Sequence, residues 1–491
     1  MSLGRTLLDH HASDEQRQGG GHEQGAGGDA AHPAGIFACI ADSFDVIVIG
    51  AGPAGEVAAG RLAEKGGLSV AIVEQHLVGG ECSFYACMPS KALLRPQELL
   101  REVGRVPGLS AGGLDAEAVL RRRDEVVHGL DDSSQLPWLE ERGIELVRGR
   151  GRLAGERRVD VDGRVLEARR AVVLAAGSLA ALPPVEGLAD VDPWTNRAGT
   201  TASEVPGSLV VLGGGVAGVE LAQAWRSLGS DVVLLENGDC VLAREEPFAG
   251  ELVAAALRDA GVDLRTEARA TRVFRSNGRV TVELEGADAV AGDEILVVVG
   301  RRPPTGDMGL DSVGVEPGEY VSTDETLRVP GSDWLYAIGD VNGRAPLTHM
   351  GKYQARLAAD NILGGDERIE IDGVRSPRVV FTDPQVAAVG HTAASAADAG
   401  LNVRCVDLPT SGTAGASFVG KDAAGTTRFV VDEDRGVLAG ATFVGVEVAD
   451  FLQAATVAVV GEVPVEKLAH AVPPFPARSE IWLKFVEEYG L

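Results

Sequence analysis

The run Phe44-Asp45-Val46-Ile47-Val48-Ile49, passing straight into Gly50-Ala51-Gly52-Pro53-Ala54-Gly55, decides the fold. Its apolar, β-branched half reads as a buried strand, and a helix-like stretch follows the glycines as far as Lys65. A second strand, Ser69 to Val73, ends at Glu74, nineteen residues after Gly55. Strand, glycine-rich turn, helix, strand and acid together read as a dinucleotide fingerprint. The glycines permit a tight turn and the close approach of a pyrophosphate to the helix N-terminus, while the acid binds a ribose diol. Glycines at this spacing also serve plain strand-to-helix packing, so the reading rests on the flanking elements.

The pattern recurs. Ser208-Leu209-Val210-Val211-Leu212 leads into Gly213-Gly214-Gly215-Val216-Ala217-Gly218, a helix through Leu228, and a strand from Asp231 to Leu235 that ends at Glu236. The first glycines lie 163 residues apart and the acids 162 apart, so the expectation is α/β with two Rossmann-like dinucleotide-binding domains. Two such sites in one chain imply electron transfer between two carriers, for which a flavin and a nicotinamide are the obvious pair. Glu236 repels a 2′-phosphate and no arginine follows it directly, which favours NAD over NADP, although a nearby loop arginine such as Arg244 could compensate.

A chain of 491 residues accommodates roughly three domains. Its 45 basic and 72 acidic side chains leave a net charge of −27, which disfavours non-specific binding to nucleic acid or to an anionic membrane. No apolar run approaches the ~18–20 residues of a membrane helix, so membrane insertion is not expected. Five cysteines (Cys39, Cys82, Cys87, Cys240, Cys405) are too few, and odd in number, for a secreted disulfide framework. Residues 1–42 are rich in glycine and carry His10, His11, His22 and His32 without periodicity; they read as a disordered, solvated tail. The short apolar stretch Ala34 to Ala41 has no basic segment before it, and the expected location is the cytoplasm.

After the first fingerprint comes Val78-Gly79-Gly80-Glu81-Cys82-Ser83-Phe84-Tyr85-Ala86-Cys87-Met88-Pro89-Ser90-Lys91. Pro89 and the residues after it read as a helical first turn, placing Cys87 near a helix N-terminus where the dipole favours a thiolate. Lys91, four residues on, shares a face with Cys87 and stabilises negative charge there. Zinc would need a second Cys/His pair that the ordered chain lacks. Spacing alone leaves two readings open, a reactive pair or two inert buried thiols.

Further motifs complete the pattern. In order, the first fingerprint, the G-G-x-C-x4-C-x-P-S-K segment, Ala171 to Leu174 with Ala175-Ala176-Gly177-Ser178, the second fingerprint, Val299-Gly300-Arg301-Arg302-Pro303 and Leu335-Tyr336-Ala337-Ile338-Gly339-Asp340 resemble class I pyridine nucleotide-disulfide oxidoreductases, the group of dihydrolipoyl dehydrogenase, glutathione reductase and mercuric reductase. The resemblance runs from Phe44 to Leu491. It implies an FAD-binding domain over 43–188 and 305–375, an NAD-binding domain over 189–304, and a C-terminal α+β dimerisation domain over 376–491. Strand-like runs at Arg378 to Val389 and Gly436 to Val444, and a helical run at Val448 to Val460, fit the last of these.

The resemblance also assigns residues. Gly50, Gly52, Gly55 and Glu74 would hold the ADP half of FAD, Lys91 would lie near the flavin, Asp340 would bind the ribityl chain, and Thr348 would lie beside the ring system. Gly213, Gly215, Gly218, Glu236 and Gly300 would hold NAD. Lys91 would pair with Glu220; Cys82 would meet substrate and Cys87 the flavin, the two forming a redox-active disulfide. The protein would be a homodimer in which each active site borrows the end of the other chain, passing electrons to a small-molecule or dithiol acceptor.

The likeness fails at one place that matters. Relatives that process thiols supply a base from the partner as His-Pro-x-x-x-Glu, whereas this chain has Phe475-Pro476-Ala477-Arg478-Ser479-Glu480. Pro476 and Glu480 are kept, but Phe475 carries no proton, and a positioned base contributes ~10²–10⁴-fold. His470, five residues earlier, is a substitute only if the Pro473-Pro474 bend brings it in. Glu81 stands where relatives have Thr, Ser83-Phe84-Tyr85-Ala86 is bulkier than usual, and no cysteine follows Cys405 to form the C-terminal thiol pair of mercuric reductases. The expected function is therefore FAD-dependent NADH oxidation through a Cys82–Cys87 disulfide with an altered proton relay. The alternative is an NADH:acceptor reductase acting on a quinone or metal ion, and a sensor or scaffold without catalysis ranks last.

Overall fold

The computed structural model describes residues 42–421 and 423–491. The expected disordered tail, its four histidines and the Ala34 to Ala41 stretch lie outside the described residues, except that Asp42 already belongs to the first strand.

The chain opens with β1 (Asp42–Ile49), α1 (Pro53–Gly66) and β2 (Val70–Glu74). Pro53 starts α1 at a position whose N–H would have no helical partner, and Gly67 ends it in the left-handed region at φ +59°. Next come α2 (Gly80–Phe84), α3 (Cys87–Arg105), β3 (Glu145–Arg148), β4 (Gly151–Leu153), β5 (Arg158–Val161) and β6 (Arg164–Leu174). They form a sheet in the order β3-β2-β1-β6-β5-β4, parallel from β3 to β6 and antiparallel beyond. Alternate residues of β1 serve opposite faces. Val46 and Val48 pack with Ala58, Ala59 and Leu62 of α1, while Ile47 and Ile49 pack with Val172 and Leu174 on the far side.

A separate four-stranded parallel sheet is built from β7 (Ser208–Leu212), β8 (Asp231–Leu235), β9 (Asp263–Arg265) and β10 (Glu294–Val297), with α4 (Val216–Ser227) crossing from β7 to β8. The chain then returns to the first sheet, where β11 (Leu335–Ala337) pairs in parallel with β6 and leads to α5 (Thr348–Ile362), which packs along α1. Arg61 and Lys65 of α1 clamp Asp360 of α5 at 2.5 and 2.8 Å.

The last part is an antiparallel sheet of β12 (Arg378–Val380), β13 (Gln385–Gly390), β14 (Val403–Pro409), β15 (Thr426–Asp432) and β16 (Val437–Gly445), ordered β12-β13-β16-β15-β14. It packs on α6 (Leu452–Val460) and α7 (Ile481–Tyr489) through a cluster in which Phe429 stacks on Phe485 at 4.2 Å. The apolar run Arg378 to Val389 is two strands rather than one. Pro384 has no N–H for a ladder, and Asp383 is drawn out of the sheet by Arg105 at 2.6 Å and by Gln223. The helix expected from Val448 starts as a tight 3₁₀ turn over Val448–Phe451. Among the described residues no helix is long and apolar enough to cross a membrane.

Candidate active site

Both fingerprints have the same construction. Gly50 and Gly213 take φ of +107° and +110°, which a side chain resists. A Cβ on Gly55 would stand 1.9 Å from Gly50 O, and one on Gly218 would stand 1.8 Å from Gly213 O, so each helix touches its turn backbone to backbone. A Cβ on Gly52 or Gly215, by contrast, meets nothing within 4 Å. These are open cradles at helix N-termini, suited to a pyrophosphate.

The acids close each loop. Glu74 accepts from Ala51 N at 2.8 Å and His76 N at 2.7 Å; Glu236 accepts from Gly214 N at 2.5 Å and Gly238 N at 2.7 Å. Each carboxylate is thereby aimed at the cradle edge, where a ribose would lie. Gly300, with φ +152°, also faces open space. The two cradles therefore fit two dinucleotides.

Cys82 lies on the short helix α2, and Cys87 is the first residue of the 19-residue α3. Both are thiols, and both are half-buried. Cys87 Sγ lies 3.5 Å from Thr348 Oγ1 at the start of α5. Hydrogen bonding from Cys82, then from Thr348, together with the Lys91 charge, holds the Cys87 thiol down at about 6 against the opposing effect of burial. The Cys82 thiol is pushed far up by the same hydrogen bond and by burial. Cys87 is thus the thiolate of the pair.

Lys91, one turn into α3, donates to Glu220 at 2.8 Å and sits 4.9 Å above the Phe381 ring. Glu220 is on α4, 129 residues away, with its side chain only 3% exposed. Its second oxygen accepts from Phe381 N at 2.8 Å, so both oxygens of this buried carboxylate are satisfied. The pair ties the cysteine helix to the second fingerprint helix.

Asp340 accepts from Ser178 Oγ at 2.5 Å, and Arg301 donates to the same hydroxyl at 2.5 Å. Glu81 is neutralised by Arg197 at 2.5 Å and Arg301 at 3.9 Å and accepts a hydrogen bond from the Asn196 amide at 2.7 Å. This carboxylate is thus compensated by cations that sequence reading did not connect with it. Arg197 also lies over the Tyr85 ring at 4.7 Å, and Phe84 is buried, so the bulky residues between the cysteines fill space.

Glu480 accepts from Ala477 N at 3.2 Å and Gly415 N at 3.0 Å, stitching its own turn to the 415 loop. Phe475 is 78% exposed, and His470 is exposed at the end of a short helix. Glu56, in the first turn of α1, is half-buried, and burial pushes it up to about 7, opposed by the Lys352 charge and helped by Glu74. Neither Glu56 nor Lys352 stood out in the sequence. The available signal was a lone acid among the small residues of a fingerprint helix.

Residues 44–355 match the pyridine nucleotide-disulphide oxidoreductase family, and residues 376–485 match that family's dimerisation domain. The chain belongs to this family. A dihydrolipoyl dehydrogenase of Bacillus subtilis is 32% identical over 460 residues, covering 90% of this chain and 96% of the relative. A mercuric reductase of Lysinibacillus sphaericus is 30% identical over 450 residues, covering 89% and 81%. Among solved structures, the HOCl-induced flavoprotein disulfide reductase RclA of Escherichia coli superposes with a TM-score of 0.79 at 26% identity, over 90% of this chain and 99% of that one. LpdA of Mycobacterium tuberculosis gives 0.81 at 26% identity, over 92% and 100%. The family's cofactors are FAD and NAD(P)H, and the two cradles fit them. Among the described residues no group of three or more acidic, His or Cys side chains is placed to hold a metal ion.

Proposed function

We propose that this protein is an FAD-dependent NADH oxidoreductase in which Cys82 and Cys87 cycle between dithiol and disulfide, acting on a disulfide or dithiol as dihydrolipoyl dehydrogenases do, with a proton relay that uses no partner histidine. The observation that carries this reading is the differentiated cysteine pair: a low Cys87 thiolate at a helix N-terminus, a high Cys82 thiol, and Lys91 held beside them by buried Glu220. A bound flavin supplies the two-electron link between nicotinamide and sulfur. Gly50, Gly52, Gly55 and Glu74 hold its adenosine half, Asp340 its ribityl chain, and Thr348 and Lys91 flank its ring. Gly213, Gly215, Gly218, Glu236 and Gly300 hold the nicotinamide nucleotide, with Glu236 selecting NADH over NADPH. Cys82 attacks and releases substrate sulfur, while Cys87 keeps the negative charge.

The domain limits are those read from the sequence, 43–188 with 305–375, 189–304 and 376–491. Two chains associate through the last of these, each lending its end to the other's site, and Glu480 shapes that end. We place the enzyme in the cytoplasm.

A second reading, a reductase of quinones or metal ions, is favoured by Phe475 at the position of the family's base. The mercuric reductases among the relatives and the Cu(II) complex of RclA support it too. Comparing NADH-driven turnover of lipoamide and of a quinone in wild type and Cys82→Ser separates the two. The dithiol reading requires lipoamide turnover that Cys82→Ser abolishes. Quinone turnover alone, unchanged by Cys82→Ser, establishes the second reading instead.

A further inference from the structure

The segment that carries Cys82 is not held by its own secondary structure. α2 is five residues long, too short to persist alone, and no side chain caps its start. The short helix Asn196–Thr201, ahead of the second fingerprint, holds it instead. Asn196 Nδ2 donates to Glu81 Oε2 at 2.7 Å and to Tyr85 O at 3.0 Å. Arg197 Nε donates to the other Glu81 oxygen at 2.5 Å, and Arg301 lies 3.4 Å from Asn196 Oδ1. The amide of Asn196 is thereby oriented, its oxygen toward a cation and its N–H groups toward two acceptors. Glu81 directly precedes Cys82, and Tyr85 lies between Cys82 and Cys87, so one side chain fixes the chain on both sides of Cys82.

The helix that presents Asn196 is itself anchored. Arg123, fully buried, donates to Thr200 O and, at 2.8 Å, to Ala202 O. Trp225 of α4 donates to Gly199 O at 3.0 Å, and a Cβ on Gly199 would stand 2.7 Å from a Leu296 methyl of β10. Thr200 Oγ1, buried, shares its hydrogen between Asn196 O at 2.9 Å and Tyr85 O at 3.1 Å. α4 also holds the cysteine helix α3, through Glu220 and Lys91. Both cysteines are therefore referred to α4: Cys87 by the Lys91–Glu220 pair, and Cys82 by Asn196 on a platform pinned to Trp225.

We propose that Asn196 is a positioning residue for the redox pair, which holds Glu81 and Tyr85 so that the Cys82 sulfur stays beside Cys87 in the dithiol, and thereby sets how readily the disulfide closes. The proposal rests on the dithiol reading and deepens it. Closing a disulfide costs the reduced segment its conformational freedom, and a latch that removes this freedom in advance raises the effective concentration of one sulfur at the other. Without the latch the dithiol gains conformations that the disulfide, already tied by its S–S bond, does not. The equilibrium then moves toward the dithiol. Glu81 suits the latch because its two oxygens receive Asn196 and Arg197 separately.

Exchange with a small dithiol reports this equilibrium. The Cys82 thiol, the Cys87 thiolate, one proton and oxidised dithiothreitol become the Cys82–Cys87 disulfide and reduced dithiothreitol. One S–S bond breaks as another forms, and the electron pair passes from the protein sulfurs to the reagent.

The test uses the full-length, FAD-loaded protein as wild type, Asn196→Ala, Asn196→Asp and Glu81→Gln. Each is equilibrated anaerobically at pH 7 over a series of oxidised-to-reduced dithiothreitol ratios, quenched with iodoacetamide and counted by mass spectrometry as disulfide or alkylated dithiol. We expect the proportion of disulfide to dithiol at a given ratio to fall ~tenfold in Asn196→Ala, the equivalent of ~30 mV. Asn196→Asp keeps the side chain's size and its acceptor for Arg301, which favours folding. It has no N–H for Tyr85 O and repels Glu81, so it should fall at least as far. Glu81→Gln retains one acceptor oxygen for two donors and should fall by part of that amount. An unchanged proportion in FAD-loaded Asn196→Ala or Asn196→Asp, with only the melting temperature lowered, marks a purely structural tie and overturns the proposal while the redox pair stands. If wild type forms no disulfide at any ratio, the dithiol reading itself has failed.

Discussion

Cys82→Ala and Cys82→Ser differ by one hydrogen-bond donor, and that donor is the largest influence on Cys87. The Cys87 thiol lies at about 6 against an ordinary 9.0, a displacement equivalent to about 4 kcal/mol of preference for the thiolate. At pH 7 this makes the thiolate the predominant form of Cys87. Serine keeps an O–H pointing at the sulfur, so Cys82→Ser should titrate within about one pH unit of wild type. Alanine removes the donor, leaving Thr348 at 3.5 Å and the Lys91 charge to oppose burial, so Cys82→Ala should titrate at least about 1.5 pH units higher. Each variant keeps Cys87 as the only cysteine of the pair, so neither needs reduction. The assay is the pH dependence of the long-wavelength thiolate-to-flavin absorbance, with iodoacetamide labelling of Cys87 as a flavin-independent readout. Coincident titration of the two variants, or a wild-type value of 8–9, would refute the reasoning.

Lys91→Met should lower the melting temperature more than Lys91→Met/Glu220→Gln. The single change strands a carboxylate whose side chain is 3% exposed, a type of loss that costs ~3–5 kcal/mol, whereas the amide still accepts from Phe381 N. Calorimetry checks the order. Wild type should prefer NADH over NADPH, and Glu236→Ala should narrow that preference by at least about tenfold in kcat/KM, because the carboxylate at the ribose edge is removed. Arg61 and Lys65 hold the Asp360 carboxyl down at about 2 from 3.8. Its contribution is therefore fully present above pH ~4 and lost as pH falls through 2. Asp360→Asn should cost about 1–2 kcal/mol at pH 7, after allowance for partial exposure, and only a small remainder of that at pH 2, where the folded-state carboxyl is half ionised, by pH-dependent denaturation.

What was legible in the sequence followed from local geometry. A strand, a glycine turn and a helix are contiguous, so Gly50 to Gly55 and Gly213 to Gly218 declare themselves by spacing alone. Lys91 and Glu220, 129 residues apart, meet only through the packing of α3 on α4, and no periodicity carries that; it came from the resemblance. Glu81 looked anomalous because its partners, Arg197 and Asn196, approach from another part of the chain. Glu56 passed unnoticed because helix patterning reports which face is buried and not which charges later face it. The strand-like Arg378 to Val389 run does hold strands, and its break shows a related limit. Apolar character marks burial, while strand continuity depends on each residue's N–H, which Pro384 lacks.

The most direct test of the central claim is anaerobic titration of the purified holoenzyme with NADH, counting electron equivalents per FAD while following the visible spectrum. A working Cys82–Cys87 pair predicts uptake of a second electron pair beyond the flavin's own and a long-wavelength band from the Cys87 thiolate. Uptake of a single pair, with no such band between pH 6 and 9, would contradict it.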